Sequence, residues 1–181
     1  MRIVAGDYKG RRLFAPNNNK VRPTTDKVKE AIFSMLSYRT EDAVVIDLFA
    51  GTGNLGLEAL SRGAARVYFG DNARSSLALI KQNVALCGAE EKSIIFSGDY
   101  AEVLSRIKEK VDIVFLDPPY GKELIEDCFA RIADATLLQE DGIIIAEHDS
   151  AELFPDVLAG FSKRKEKRYG RITVSVYGMN I

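Results

Sequence analysis

The 181-residue chain has no tryptophan, one histidine and two cysteines. A single histidine with no second His and no suitably spaced Cys removes the common zinc ligand sets, so no metal is expected. His148 follows the apolar run GIIIAE and reads as a loop or surface residue without a catalytic role. Cys87 and Cys128 fall in helical patterns without close partners and read as small hydrophobes or free thiols. No apolar run approaches the roughly 20 residues that span a bilayer. The start, MRIVAGDYKGRR, also lacks the apolar segment of roughly 7 or more residues that marks a secretory signal. A cytoplasmic protein with no membrane partner is the expectation. Internal repeats, low-complexity tracts and long linkers are missing too, and the length suits one domain over residues 1–181.

What is present is charge, unevenly placed. The formal net charge of −1 hides two basic segments. Residues 1–30 hold eight Lys or Arg against three acids, and residues 163–171 (KRKEKRYGR) hold six against one. Each segment carries +5 and the remainder −11. A single run of this kind is usually a solvated face. Two of them at opposite ends of one compact chain also suit one patch for a polyanion, with Arg11, Lys163, Arg164 and Arg168 as candidate RNA contacts. The pI of about 5.9 argues against promiscuous binding.

RIVAG-DYKG-RRLFAP reads as two short strands around a turn, an N-terminal β-hairpin extension covering residues 1–23 with the polar loop that follows. In TTDKVKEAIFSML, Val28, Ala31, Ile32, Met35 and Leu36 share one helix face behind a Thr/Asp start. From residue 43 strand-like runs alternate with helical patterns: AVVIDLF, ARVYFG, SIIFSG, VDIVFLD and GIIIAEH between LGLEALSR, RSSLALIKQNVALC, YAEVLSRIK and LIEDCFARIA. Strands this apolar are covered on both faces, which means a parallel sheet flanked by helices. A helix around AELFPDVLA is expected next, then FSKRKEKRY and ITVSVYG as an antiparallel hairpin about Gly170. The fold class is α/β and Rossmann-like: a mostly parallel seven-stranded sheet ending in an antiparallel hairpin.

After the first buried strand, DLFAGTGNLGLEAL places Gly51, Gly53 and Gly56 in the spacing G-x-G-x-x-G ahead of a helix. Alone, this fits NAD, FAD or S-adenosyl-L-methionine. Asp47 and Phe49 lie just before the loop, Asp71 and Asn72 at the end of the second strand, Asp99 and Tyr100 after the third. A carboxylate at Asp47 would repel a pyrophosphate and pair with the ammonium of S-adenosylmethionine; Asp71 suits a ribose hydroxyl and Asp99 an adenine amino group. The alternative for Asp47 and Asp99 is that they cap helices.

A fourth strand end carries LDPPYG. Two prolines cannot extend a ladder, so Asp117, Pro118, Pro119 and Tyr120 form a stiff turn where open α/β sheets bind ligands. The Asp117 carboxylate and the Pro118 carbonyl would accept both N–H groups of an exocyclic amine, and Tyr120 would stack on its base. The alternative is that Asp117 caps the next helix. A dinucleotide-dependent redox enzyme needs no such turn, and a non-catalytic RNA-binding assembly factor needs neither the turn nor the glycine loop.

MRIVAGDYKGRRL, VRPTTDKVKEAIFSML, VIDLFAGTGNLGLEALSRGA, FLDPPY and the C-terminal YG-ITV-Y hairpin, taken in order, resemble the bacterial methyltransferases that modify N2 of a guanine in 16S rRNA. The resemblance implies a monomeric class I methyltransferase using S-adenosylmethionine on rRNA of the small subunit or an assembly intermediate, at guanine 966. It carries Asp47, Gly51, Gly53, Asp71 and Asp99 over as cofactor contacts and Asp117 to Tyr120 as the catalytic turn. Arg22 and Thr24 match an RPT segment implied to close over the site or guide RNA, or else simply to start a helix. The family usually has Glu where Asp71 stands and often Asp at Ala73, which shifts attention to Asn72 for the ribose. The turn itself recognises an amine, so adenine N6 or a protein glutamine remains an alternative.

Overall fold

Each buried apolar run is followed by a helix that returns the chain to the start of the sheet, and this alternation builds five neighbouring parallel strands. They are β1 (Val44–Leu48), β2 (Arg66–Asp71), β3 (Ser93–Ser97), β4 (Val111–Leu116) and β5 (Leu138–Asp149). The returning helices are α2 (Asn54–Ser61), α3 (Arg74–Cys87), α4 (Tyr100–Arg106) and α5 (Lys122–Asp134), and α1 (Asp26–Leu36) precedes them. Three antiparallel strands complete the sheet: β6 (Val157–Leu158), β7 (Phe161–Tyr169) and β8 (Ile172–Met179). The order is β3-β2-β1-β4-β5-β8-β7-β6. This is the expected Rossmann-like sheet, with the two-residue β6 as an eighth strand at one edge. The computed structural model describes residues 1–17, 25–119 and 121–179, so Arg22, Thr24 and Tyr120 lie outside the described residues. No described helix is long and apolar enough to cross a membrane.

The two faces of the sheet have separate cores. Helices α1, α2 and α3 cover one, together with Ile3 and Leu13 of the N-terminal extension; α4 and α5 cover the other. Thr25 caps α1 by accepting a hydrogen bond from Val28 N at 3.3 Å. Val28, Ile32 and Leu36 are buried as their spacing predicts, and so are Lys29 and Phe33. The expected N-terminal hairpin is reduced to one antiparallel bridge, Arg2 to Arg12, flanked by Ile3 N to Arg11 O at 3.0 Å and Leu13 N to Met1 O at 3.1 Å.

That extension is held by docking rather than by strand pairing. The Glu58 carboxylate in α2 is fully buried and accepts Val4 N at 2.9 Å, Ala5 N at 3.0 Å, Lys29 Nζ at 3.1 Å and Arg62 Nε at 2.9 Å. Lys29, also fully buried, donates further to Asn54 Oδ1 at 2.8 Å and to the Arg2 carbonyl. Burial pushes the Lys29 ammonium below its usual range against the pull of Glu58. At the end of α2, Asp7 N and Tyr8 N donate to the Ser61 carbonyl and hydroxyl. Gly6 lies so close that a Cβ there would stand 1.7 Å from Ser61 O.

Two expectations fail at the other end of the sheet. In place of the helix expected around AELFPDVLA, the chain turns at 149–152, where Glu152 N donates to Asp149 O at 3.0 Å, and continues as an irregular strap through residue 156. Val157 pairs with Ser162, Ser162 with Gly178 and Gly178 with Ile143, so the strap must run back the length of β5 from Asp149. That is about 20 Å at ~3.3 Å per residue, and seven residues of helix would cover only about 10 Å. Its carbonyls are satisfied from outside: Phe154 O by Lys163 Nζ at 2.8 Å, Pro155 O by the Tyr177 hydroxyl at 2.7 Å and Asp156 O by Lys163 N at 2.7 Å. His148 is not a loop or surface residue. Pairing with β8 extends β5 through Asp149, which buries His148 with Nε2 2.9 Å from Ser175 Oγ and its ring 4.5 Å from that of Phe154.

Replacing Glu58 by Gln leaves the buried Lys29 without its counter-charge and mismatches one of the two backbone donors, since each bonds a different carboxylate oxygen. The expected loss is about 3–5 kcal/mol in urea unfolding at neutral pH. A loss below about 1 kcal/mol would show that the extension is held by its apolar contacts instead.

Candidate active site

The glycine loop joins β1 to α2 through three residues at positive φ: Phe49 at 64°, Gly51 at 59° and Gly53 at 79°. Phe49 is a bulky residue in a region where only glycine is unstrained, at the point where the chain leaves the sheet. Gly56 serves packing: a Cβ there would meet the Phe69 ring at 2.3 Å and Val67 at 2.8 Å, so α2 lies against β2 with no room to spare.

Four side chains brace the loop. Asp47, 2% exposed, accepts Gly56 N at 2.9 Å and so takes the place of a side-chain cap on α2, whose N-cap residue is Gly53. Asp71 accepts Gly51 N through Oδ2 and Ala73 N through Oδ1, both at 2.9 Å. Asn83 of α3 donates to Thr52 O at 2.9 Å and exchanges hydrogen bonds with both backbone groups of Phe14. Lys29 holds Asn54, the first residue of α2. Asp47 and Asp71 stand beside the loop, where their places in the sequence put them; the bracing by Asn83, Lys29 and Asn54 was not expected. Their signal was a polar residue at core spacing, since Asn83 sits among Ile80, Val84 and Cys87.

β1 and β4 are neighbours in register, Leu48 opposite Leu116, so Phe49 and Asp117 leave the sheet side by side, one strand spacing of about 4.8 Å apart. Asp117 and Pro118 are half-buried and Pro119 is exposed. Helix α5 is entered through Gly121 at φ 69°, so the residue at its cap is that glycine and not Asp117. Burial pushes the Asp47 carboxyl up to about 8; the Gly56 N–H opposes this, and the charges of Asp117 and Asp71 add to it. Three carboxylates therefore bear on one region at the carboxyl ends of β1, β2 and β4. Such a region favours a cation.

The third strand end contributes an aromatic wall. Asp99 caps α4 in a capping box: Oδ1 accepts Glu102 N at 2.9 Å, and Asp99 N donates to Glu102 Oε2 at 3.2 Å. The cap alternative is thus realised at Asp99, while Asp47 is not the cap residue of α2 but bonds its first turn from β1; each uses one carboxylate oxygen. Tyr100 packs on Phe49 with ring centroids 5.9 Å apart. Its hydroxyl donates to Asp127 Oδ2 at 2.8 Å, which also accepts Arg131 Nε at 2.7 Å. The Asp127 hydrogen bond raises the Tyr100 phenol. Asn72 is exposed beside Asp71.

The basic candidates separate. Arg11 donates to Leu86 O at 3.1 Å and lies over the Tyr8 ring, which fastens the extension to α3. Lys163 is a correction. Only 14% of its side chain is exposed, and it is committed to Glu166 at 2.8 Å and Phe154 O. A bulge between Lys163 and Lys165 turns it inward. Arg164 donates to Met179 O and Arg168 to Gly170 O, and both stay exposed. Among the described residues, Arg11 packs on α3 while β7 lies next to the far edge of the sheet, so Arg11 does not join the C-terminal basic segment.

A family model described as "Conserved hypothetical protein 95" matches residues 1–178. YlbH of Bacillus subtilis is 34% identical over 180 residues, covering 98% of each chain. Ribosomal RNA small subunit methyltransferase D of Escherichia coli strain K12 is 33% identical over 177 residues, covering 98% of this chain and 89% of its own. Among solved structures, yhhF of Escherichia coli has a TM-score of 0.90 at 31% identity, covering 99% of this chain and 98% of that one.

The raised Asp47 carboxyl sets a pH dependence. With a folded value of about 8 against an ordinary 3.8, the folded state holds a proton that the unfolded state has lost. Stability conferred by that proton is fully present below the unfolded value and is lost as pH climbs to about 8. Asp47→Asn cannot lose the proton. Its melting temperature relative to the parent, measured without ligand, is therefore expected to rise between pH 5 and pH 8; parallel profiles would contradict the buried-acid account.

Proposed function

The chain belongs to the conserved hypothetical protein 95 family, that of the small-subunit rRNA methyltransferases D, and from this we propose that it methylates the exocyclic N2 amine of a guanine in 16S rRNA, using S-adenosyl-L-methionine. The carrying observation is the adjacency of the Asp117–Pro118–Pro119 turn to the braced glycine loop, at the carboxyl ends of two paired strands. Guanine 966 is the target that the family resemblance suggests.

The residues present fit this cofactor. A Cβ at Gly51 would meet nothing within 4 Å, so the loop leaves open space beside its backbone. Asp47 keeps a buried carboxyl that an adjacent ammonium would ionise, and Asp71 and Asn72 stand where a ribose would be held. Asp99, with one oxygen beyond its cap bond, and the Phe49–Tyr100 wall suit adenine. S-adenosyl-L-methionine supplies an electrophilic methyl group on a sulfonium.

The chain's own task is to make a poor nucleophile attack. The lone pair of a guanine amine is delocalised into the ring. Accepting its two N–H groups at the Asp117 carboxylate and the Pro118 carbonyl favours a pyramidal nitrogen, each charge-assisted bond being worth about 1.5–3 kcal/mol. After transfer the nitrogen bears a positive charge and gives up a proton to Asp117 or to water. Tyr120, beyond the described residues, is the expected stacking ring, worth about 1–3 kcal/mol per base.

Incubation with labelled S-adenosylmethionine and unmodified small subunits, followed by digestion to nucleosides and mass analysis, is expected to yield N2-methylguanosine. N6-methyladenosine would transfer the same turn to a different base. Asp117→Ala is expected to lower turnover by about 10²-fold or more, with cofactor affinity by calorimetry nearly unchanged. Normal turnover in that variant would overturn the role given to the turn.

A further inference from the structure

Strand register fixes where the C-terminal basic segment stands. Leu116, the last residue of β4 before the Asp117 turn, pairs with Ala146 of β5, which pairs with Ser175 of β8, which pairs with Glu166 of β7. Beyond that level β7 and β8 continue through Tyr169, Gly170, Arg171 and Ile172. The hairpin tip therefore projects about 10 Å past the Asp117 turn at ~3.3 Å per residue, at the same end of the sheet. Laterally it stands three strand spacings from β4, about 14 Å away.

The tip is cationic and held firmly. Lys165, Lys167, Arg168 and Arg171 are exposed. Glu166, the only acid in residues 163–171, is turned to Lys163 and Ser175, at 2.8 Å and 3.0 Å, so it does not offset the tip. Lys165 and Lys167 lie opposite Val176 and Val174, on the α1 face of the sheet, with Lys167 5.5 Å over the Tyr169 ring. Ser150, just past β5, locks the tip. Its N–H donates to Arg171 O at 2.9 Å, its hydroxyl donates to Gly170 O at 3.1 Å, and it lies 2.9 Å from Thr173 Oγ1. A merely solvated charge run has no need of such fastening.

We propose that the β7–β8 tip is a preorganised phosphate-binding arm, with Lys165, Lys167, Arg168 and Arg171 gripping the RNA backbone a few nucleotides from the base presented to the Asp117 turn. The assignment rests on the proposed RNA substrate. At about 14 Å the cations are too far away to touch the target base but within reach of its flanking phosphates, spaced about 3.4 Å per nucleotide along a stacked strand. The arm accordingly contributes affinity and register, and leaves the chemical step to the turn.

The test compares the full chain with a variant carrying Lys165→Gln, Lys167→Gln, Arg168→Gln and Arg171→Gln, using transcribed 16S rRNA for binding and small subunits for methyl transfer. Removing four phosphate contacts is expected to flatten the slope of log affinity against log salt by about 3. KM should rise tenfold or more with kcat within about twofold, and cofactor affinity and melting temperature should be retained. Ser150→Ala, which keeps the charges but loosens the tip, is expected to raise KM while leaving the salt slope intact. An unchanged slope and KM in the fourfold variant, with the parent still methylating RNA, would remove the arm and leave the proposed function standing. A parent that transfers no methyl group to RNA would overturn both.

Discussion

One buried carboxylate organises the side of the molecule that carries the glycine loop. Glu58 binds two backbone amides of the extension, the ammonium of α1 and the guanidinium one turn along its own helix. Neither Glu58 nor Lys29 can lose its partner cheaply, because both side chains are fully buried and have given up water. The extension has almost no strand pairing of its own, so its course over α2 follows from Glu58 and Ser61. Lys29 passes the same constraint to Asn54, at the first turn of α2. The extension, α1 and the start of α2 are in this way fixed to a common buried ion pair.

The loop shows why acids recur at strand ends in this fold. Three glycine-loop or helix-start amides, those of Gly51, Gly56 and Ala73, would otherwise point at nothing, and Asp47 and Asp71 satisfy all three from neighbouring strands. Burial is what chiefly raises the Asp47 carboxyl, and crowding with Asp117 and Asp71 adds to the cost of ionising it. A positively charged ligand relieves it. The same groups shape the loop and, under the proposed function, would select the sign of what it holds, so structural and binding roles need not be alternatives at these positions.

The sheet, its order of elements and the two loops at β1 and β4 were legible because apolar runs and glycine spacing are local signals. The second roles of Asp47, Asp71 and Asp99 were not, since a carboxylate at a strand end reads alike whether it braces a backbone amide or faces a ligand. Asn83 and Lys29 did leave a trace, as polar residues at core spacing. Alternation would put Lys163, Lys165 and Lys167 on one face. The bulge at Arg164 divides them, sending the first into a buried contact and the others to the surface. His148 and the strap depended on how far β8 extends along β5, and register is a tertiary property.

The strap between β5 and β6 also bears on which changes the chain can tolerate. Because the strap covers about 20 Å along the sheet and also crosses three strand spacings, about 14 Å, the part beyond the Asp149–Glu152 turn has little slack for a deletion. Removing one would draw β6 and β7 along by a position, and a one-residue slip in a strand exchanges its two faces. Glu166 would then leave Ser175, and the lysines of the tip would change sides of the sheet. Ala151 and Leu153 are exposed and free to vary in identity. In this connection it is the number of residues, more than their kind, that is under constraint.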